Sequence, residues 1–511
     1  MNDPTAARLP VLHPFLLAAY PVLALLAHNI EDAALRNAWR PLALSVILTL
    51  GLYGFLFLIL RDRYKAGIAA TIVILLLFSY GHVYELFEGK AYIGEILGRH
   101  RYLVILYLIL LVASLVWVIR KRQGLPGISY FLNLLTSIAL IIPILQIGVF
   151  EFRLARARTA GSEQTLQNEN ISLKPMEEPR DVYYLILDGY ARDDILKKFY
   201  QFDNHPFLDR LTQLGFIVGA CSLSNYAQTQ LSLASSLNLN YLASLGEQYK
   251  AGNTSRIGLA DLIQHSKARK IFESLGYTVI AFDTGYDATR WKDVDHYFAP
   301  QAVQDIDDFE ELFIRTTAAR LIVEGVALLD IPPDWEKRDQ LHRERILFTL
   351  DRLNNQVLEL PGPKFVFAHI ISPHWPHVFG PHGEAVHEHN DSLIGYRNQV
   401  EFINTQIVSL LTNLITKSSK APVIIIQGDH GSVIESPQQR MSILNAYYLP
   451  GQPADILYEK ISPVNTFRLI FNSYFNGNFD LLEDRSYYSR YESPYEYQIY
   501  QDTRPGCASN P

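Results

Sequence analysis

Cysteine is scarce: the 511 residues hold two, Cys221 and Cys507, with no CxxC pair and no Cys/His spacing. Neither a disulfide framework nor a thiolate zinc site is therefore expected. Lys/Arg-rich runs are missing from the C-terminal half and the formal net charge is −7, so the electrostatic footprint of a nucleic-acid binder is absent. Nucleic acid is excluded as a partner. Long uncharged runs are almost lacking after about residue 150 but crowd the stretch before it. A shift that sharp does not fit one soluble domain, and a chain of this length exceeds what one core organises. The two halves are expected to live in different solvents.

The first half has five apolar stretches, at about 11–29, 41–60, 66–87, 102–119 and 128–150. Each can cross roughly 30 Å of hydrocarbon at about 1.5 Å per residue, which predicts five transmembrane helices. Arg61, Arg63 and Lys65 follow the second stretch, and Arg120, Lys121 and Arg122 the fourth. Both clusters belong on the cytoplasmic side. With five spans the N-terminus is then inside and everything after residue 151 outside, in a multi-pass protein of the cell membrane. Arg153, Arg156 and Arg158 fall on the outer side, against that rule, where lipid headgroups offer them partners.

Residues 151–180 read as a linker, since 159–180 is polar and aperiodic. From Asp181 to about residue 475, short apolar runs alternate with amphipathic ones. VYYLIL, FIVGA, TVIAF, FVFAHII and VIIIQ are apolar throughout, as parallel strands covered on both faces must be. Helical patterns lie at Phe207–Leu214, Leu231–Leu239, Ala268–Leu275, Leu341–Leu358 and Asn398–Ile415. The expected fold is an α/β domain with a mostly parallel sheet, helices on both faces. Residues 476–511 form a Tyr-rich extension that either covers the active-site face or packs on the membrane.

Open α/β sheets gather ligands at the carboxyl ends of their strands. Here those ends carry Asp188-Gly189, then Ser372-Pro373-His374-Trp375-Pro376-His377, then Gly428-Asp429-His430-Gly431. Carboxylate and imidazole from Asp188, Asp429 and His430 suit one divalent ion, Zn²⁺ or Mn²⁺. The segment SNYAQTQLSLASSLN reads as a polar loop entering a helix, which puts Thr229 where helix N–H groups favour an anion. A threonine hydroxyl is a poor nucleophile until a metal lowers its pKa. Otherwise Thr229 simply starts the helix. His369 lies inside a strand, as a core histidine or a substrate contact. His382 is a second candidate contact, and His387 and His389 read as solvated surface. Arg192 is placed to neutralise a phosphate or to pair with Asp193 or Asp194.

The order strand–Asp188, loop–Thr229–helix, strand–SPHWP, strand–GDHG resembles the sulfatase-like branch of the alkaline-phosphatase superfamily. With the membrane spans in front, it resembles lipoteichoic acid synthases and phosphoethanolamine transferases. The resemblance covers the chain in architecture but rests on four short motifs. It implies Asp188, Thr229, Asp429 and His430 as ligands of one metal, with Thr229 as a nucleophile that becomes phospho-threonine. It also implies that His374 binds the transferred group or protonates the leaving oxygen. Substrates would be phosphate- or sulfate-bearing esters, with membrane lipids as partners. Two departures restrict it. The formylglycine signature of sulfatases matches neither Ala227–Leu231 nor Cys221–Asn225, and no histidine follows His430, so a second metal from that region is not expected. Alternatives are an ester hydrolase on the same scaffold and a catalytically inactive membrane binding protein.

Overall fold

A computed structural model of the chain describes residues 10–30, 35–87, 100–167, 173–256, 258–301, 308–325, 334–388, 392–433, 436–504 and 506–507. The chain divides into two compact units, 1–153 with 302–334, and 154–301 with 335–511.

The first unit contains α1 (His13–His28), α2 (Trp39–Leu60), α3 (Arg63–Phe87), α4 (His100–Arg120) and the start of α5 (Leu125–Gln167). Four of these apolar regions are long enough to cross a membrane, within α2, α3, α4 and α5. The expected fifth is not. α1 has 16 residues, or about 24 Å of helix, short of the roughly 30 Å of hydrocarbon. Only the side of the N-terminus depends on α1. The basic loops still close α2 and α4 on one face, and α5 still runs to the other. α5 also continues as helix through Gln167, where the linker was expected to lack structure. The side chains of Arg156 and Arg158 lie outside the described residues.

An unexpected element joins this unit from far down the sequence. Helices Asp308–Thr316 and Arg320–Gly325 lie against α3 and α2. Gly81 makes this possible, because a Cβ there would stand 2.1 Å from the Arg315 carbonyl oxygen. The Ala318 N–H donates to the Leu77 carbonyl at 2.7 Å, and Arg40 pairs with Glu310 at 3.2 Å.

The second unit is built on a seven-stranded sheet in the order β2-β9-β8-β1-β5-β3-β4. These are β1 (Val182–Leu187), β2 (Ile217–Val218), β3 (Thr278–Phe282), β4 (His296–Phe298), β5 (Lys364–Ile370), β8 (Val423–Gln427) and β9 (Asn445–Tyr448). β1 pairs in parallel with β5 and β8, and β3 with β4 and β5. β9 runs antiparallel to both neighbours. The expected fold class is thus present, and β9 and β4 are the strands the sequence pattern left out. Val182, Tyr184 and Ile186 enter one core while Tyr183, Leu185 and Leu187 enter the other. Both faces of β1 are buried, which is why it reads as an unbroken apolar run. Two antiparallel hairpins complete the unit: β6 (His377–Phe379) with β7 (Ala385–Glu388), and β10 (Ser486–Tyr488) with β11 (Gln498–Tyr500).

One expectation from cysteine scarcity is overturned. Cys221 and Cys507 form a disulfide across 286 residues of sequence. It ties the C-terminal segment to the loop that leads to Thr229. A cross-link closing so long a loop removes much unfolded-chain entropy, so replacing both cysteines by serine should lower stability by about 2–5 kcal/mol. Chemical denaturation of the protein with and without the bond checks this, and equal midpoints would show that the bond does not constrain the unfolded chain.

Candidate active site

The register of the sheet assembles the site. Ile186 on β1 lies opposite His369 on β5 and Gln427 on β8. Side chains two residues apart share a face, so Asp188 and Asp429, each two beyond, project to the same face as His369. That face carries the core into which the Thr229–Leu237 helix packs through Leu231, Leu233, Ala234 and Leu237. Thr229 is the first residue of this helix. Three adjacent parallel strand ends and one helix N-terminus therefore converge.

Asp188, Asp429 and His430 are buried, with ligand atoms all within 4.8 Å of one another. His430 Nε2 lies 3.3 Å from Asp429 Oδ2 and 3.6 Å from Asp188 Oδ1. The Thr229 hydroxyl stands 3.0 Å from the same nitrogen. His430 Nδ1 is 2.9 Å from the Gly431 carbonyl, a bond only a protonated Nδ1 can make, so the Nε2 lone pair faces the cluster. Burial, reinforced by Arg440, lowers the His430 pKa to about 4, and the ring is neutral near pH 7. Burial opposes ionisation of Asp188, but His374, His369 and His430 together outweigh it and hold the carboxyl well below the usual range.

These donors fit a divalent ion. Asp429 Oδ1 accepts the Gly189 N–H at 3.0 Å, while Asp429 Oδ2 and Asp188 Oδ1 are buried and accept no hydrogen bond. Two buried carboxylate oxygens left bare beside a neutral imidazole would be strongly destabilising without a cation between them. As ligands these three groups would leave a position open, and Thr229, only half-buried, stands beside them.

The glycines of GDHG are dictated by close backbone approach. A Cβ on Gly428 would meet the Tyr190 carbonyl oxygen at 2.6 Å, and one on Gly431 would meet that of Gln439 at 1.9 Å. Gly189 has φ +72° with His374 packed 3.6 Å from its would-be Cβ. His374 thus comes to the cluster, with its ring centroid 6.0 Å from that of His430 and its N–H on the Asp188 carbonyl at 3.0 Å.

The other candidates fall elsewhere. The His369 side chain is wholly enclosed, with Nε2 3.2 Å from Asp188 Oδ2 and Nδ1 3.0 Å from the Thr289 hydroxyl. It buttresses Asp188, and a substrate contact there would require the strand to open. Arg192 is buried and committed: its guanidinium contacts Asp194 at 2.6 Å, Asp502 at 2.8 Å and the Ser222 carbonyl at 3.2 Å. Pairing with Asp194 prevails over phosphate neutralisation. His382 is exposed in the β6–β7 turn, and no contact among the described residues brings it to the cluster. The His387 side chain and residue His389 lie outside the described residues.

Two supports hold the Thr229 loop: Arg440, which carried no sequence signal, and the Tyr-rich C-terminal extension. Buried Arg440 donates from Nε to the Ala227 carbonyl at 2.5 Å and from Nη1 to that of Ser432 at 3.0 Å, fastening the approach to Thr229 onto the loop after His430. The C-terminal extension does the same from outside. The Tyr487 N–H donates to the Asn225 carbonyl at 2.8 Å, and Gln228 Nε2 to that of Arg490 at 3.0 Å. Tyr226 packs among Tyr241, Tyr487 and Tyr497. The extension covers the Thr229 loop.

No protein-family model matches the sequence, and comparison with curated proteins finds no match. Among solved structures the chain is similar to the membrane protein lipooligosaccharide phosphoethanolamine transferase A of Neisseria meningitidis, with 12% identity, TM-score 0.39 and coverage of 91% of this chain and 94% of that one. It is similar to the zinc complex of the C-terminal periplasmic domain of EcEptC from Escherichia coli, at 12% identity and TM-score 0.41 over 60% and 85% of the two chains. A phosphonate monoester hydrolase of Agrobacterium radiobacter shows 12% identity and TM-score 0.36 over 60% and 80%. Likeness this distant leaves the activity to be read from the residues themselves.

Proposed function

We propose that the protein is a membrane-bound, metal-dependent enzyme that moves a phosphate-containing head group from a lipid donor, through a covalent threonine intermediate, to an acceptor outside the cytoplasm. One observation carries this reading: the Thr229 hydroxyl sits 3.0 Å from His430 Nε2, at the open position of a cluster whose bare carboxylate oxygens call for a cation. Asp188, Asp429 and His430 would hold the ion, Zn²⁺ or Mn²⁺ by donor type. When bound, it would supply Lewis acidity to a phosphoryl oxygen and to the threonine hydroxyl.

The chain's own groups do the rest. The Thr229 oxygen, its proton given up to solvent, attacks phosphorus and the ester bond to the lipid breaks, leaving a phospho-threonine. His374, whose ring centroid lies 6.0 Å from that of His430, gives a proton to the leaving oxygen. In the second half the acceptor hydroxyl gives its proton back to His374 as it attacks the same phosphorus, and Thr229 leaves as the oxyanion. The N-terminal N–H groups of the Thr229–Leu237 helix face the charge that develops. Water as the acceptor would give the hydrolase variant. Mass spectrometry of lipids and envelope polymers from cells with and without the protein tests the reading, because a transferase depletes a lipid and modifies an acceptor. Unchanged profiles would count against it.

The extracytoplasmic side is supported by the basic loops after α2 and α4 and by the disulfide, a bond of oxidising compartments. A cysteine placed at Gly161 should react with a membrane-impermeant maleimide in intact cells. Reaction only after permeabilisation would reverse the topology.

A further inference from the structure

The membrane unit holds a groove of about 820 Å³, in the range of ligand-sized sites. Its walls are the outer face of α2, including Leu44 and Leu48, and the flank of α3 at Ile74 and Leu77, and it is closed by Phe313 and Ile322 of the 308–325 segment. The three hydroxyls in the wall are spent, since Ser45 donates to the Ala18 carbonyl at 2.6 Å, Thr49 to that of Ser45 at 2.7 Å and Thr317 to that of Ile314 at 2.9 Å. The groove therefore presents a continuous apolar surface and then one charged feature, the Arg40–Glu310 pair beside exposed Trp39. Trp39 and Arg40 open α2, where a spanning helix meets the membrane–water interface and where Trp and Arg anchor at headgroup depth.

An occupant must then be apolar along its length and polar at one end. A peptide strand would leave backbone N–H and C=O groups without partners against such walls. The α2 face that forms the groove continues into surface exposed to the bilayer, with Leu44 and Leu48 58% and 63% exposed, so bilayer lipid reaches it directly. We infer that this groove is a binding site for a phospholipid, with an acyl chain lying between α2, α3 and the 308–325 helices and the headgroup beside Trp39 and Arg40. The site belongs to the membrane unit alone and stands or falls independently of the catalytic reading. It also gives the 308–325 segment, fastened to α3 through Gly81 and Leu77, a role as the wall that makes the lipid site.

The test uses the full-length protein in vesicles of phosphatidylethanolamine and phosphatidylglycerol doped with a phosphatidylethanolamine bearing a diazirine in its acyl chain. After irradiation, cross-links should concentrate on peptides from residues 39–49 and 313–322. Ala43→Phe and Ala319→Phe fill the groove from facing walls, and each should cut that labelling severalfold, while Ala113→Phe on exposed α4 should not. Two independent fillings guard against one variant misfolding. Labelling spread evenly over α2, α4 and α5 and unchanged by either filling would mean annular lipid only and would overturn the inference.

Discussion

Asp429→Ala should empty the metal site. Asp429 supplies one of the cluster's two buried carboxylate oxygens that accept no hydrogen bond, and its other oxygen is held by the Gly189 N–H, so the side chain is fixed toward the cluster. Without it, Asp188 and His430 are two ligands where three are needed for an open catalytic site. The disordering should be limited, because the strand and the GDHG turn are held by backbone hydrogen bonds such as Gly428 N–H to the Leu444 carbonyl at 2.9 Å. Elemental analysis of purified wild type and variant reads the result directly. The variant should lose most of its divalent metal and all measurable turnover; full occupancy would mean that the ion sits elsewhere.

Thr229→Ala should do the reverse, keeping the metal and losing turnover by orders of magnitude. Its oxygen stands 3.0 Å from His430 Nε2, where it can form and break a bond to phosphorus. Removing it does not touch Asp188, Asp429 or His430. Thr229→Ser keeps the oxygen, drops a methyl group and should retain part of the activity. If Thr229 merely started the helix, alanine would cost about 1 kcal/mol of stability and leave the chemistry intact. The two outcomes differ in kind, so turnover per metal-loaded chain separates them.

How far the sequence could be read follows from how local each constraint is. β1, β5 and β8 were legible because burial on both faces makes them apolar along most of their length, and the candidate ligand motifs lie at their ends. Thr229 was legible because a polar loop enters a helix there. β9 was not, because NAYY at the edge of the parallel set mixes polar and aromatic residues. The Cys221–Cys507 bond joins positions 286 residues apart, and nothing local to either announces the other. The 308–325 segment has an ordinary amphipathic pattern, and only the missing Cβ of Gly81 reveals that it lies against α3. His369 and Arg192 were ambiguous for the same reason. Sequence gave their chemistry, while the partners that commit them, Asp188 and Thr289 for one, Asp194 and Asp502 for the other, are set by register and chain return.

The most direct measurement of the central claim is peptide mass spectrometry on enzyme quenched during turnover with lipid extract. A phosphate-containing adduct should appear on the peptide carrying Thr229, map to its side-chain oxygen, and vanish in Thr229→Ala. An adduct on another residue, or steady turnover by Thr229→Ala, would contradict it.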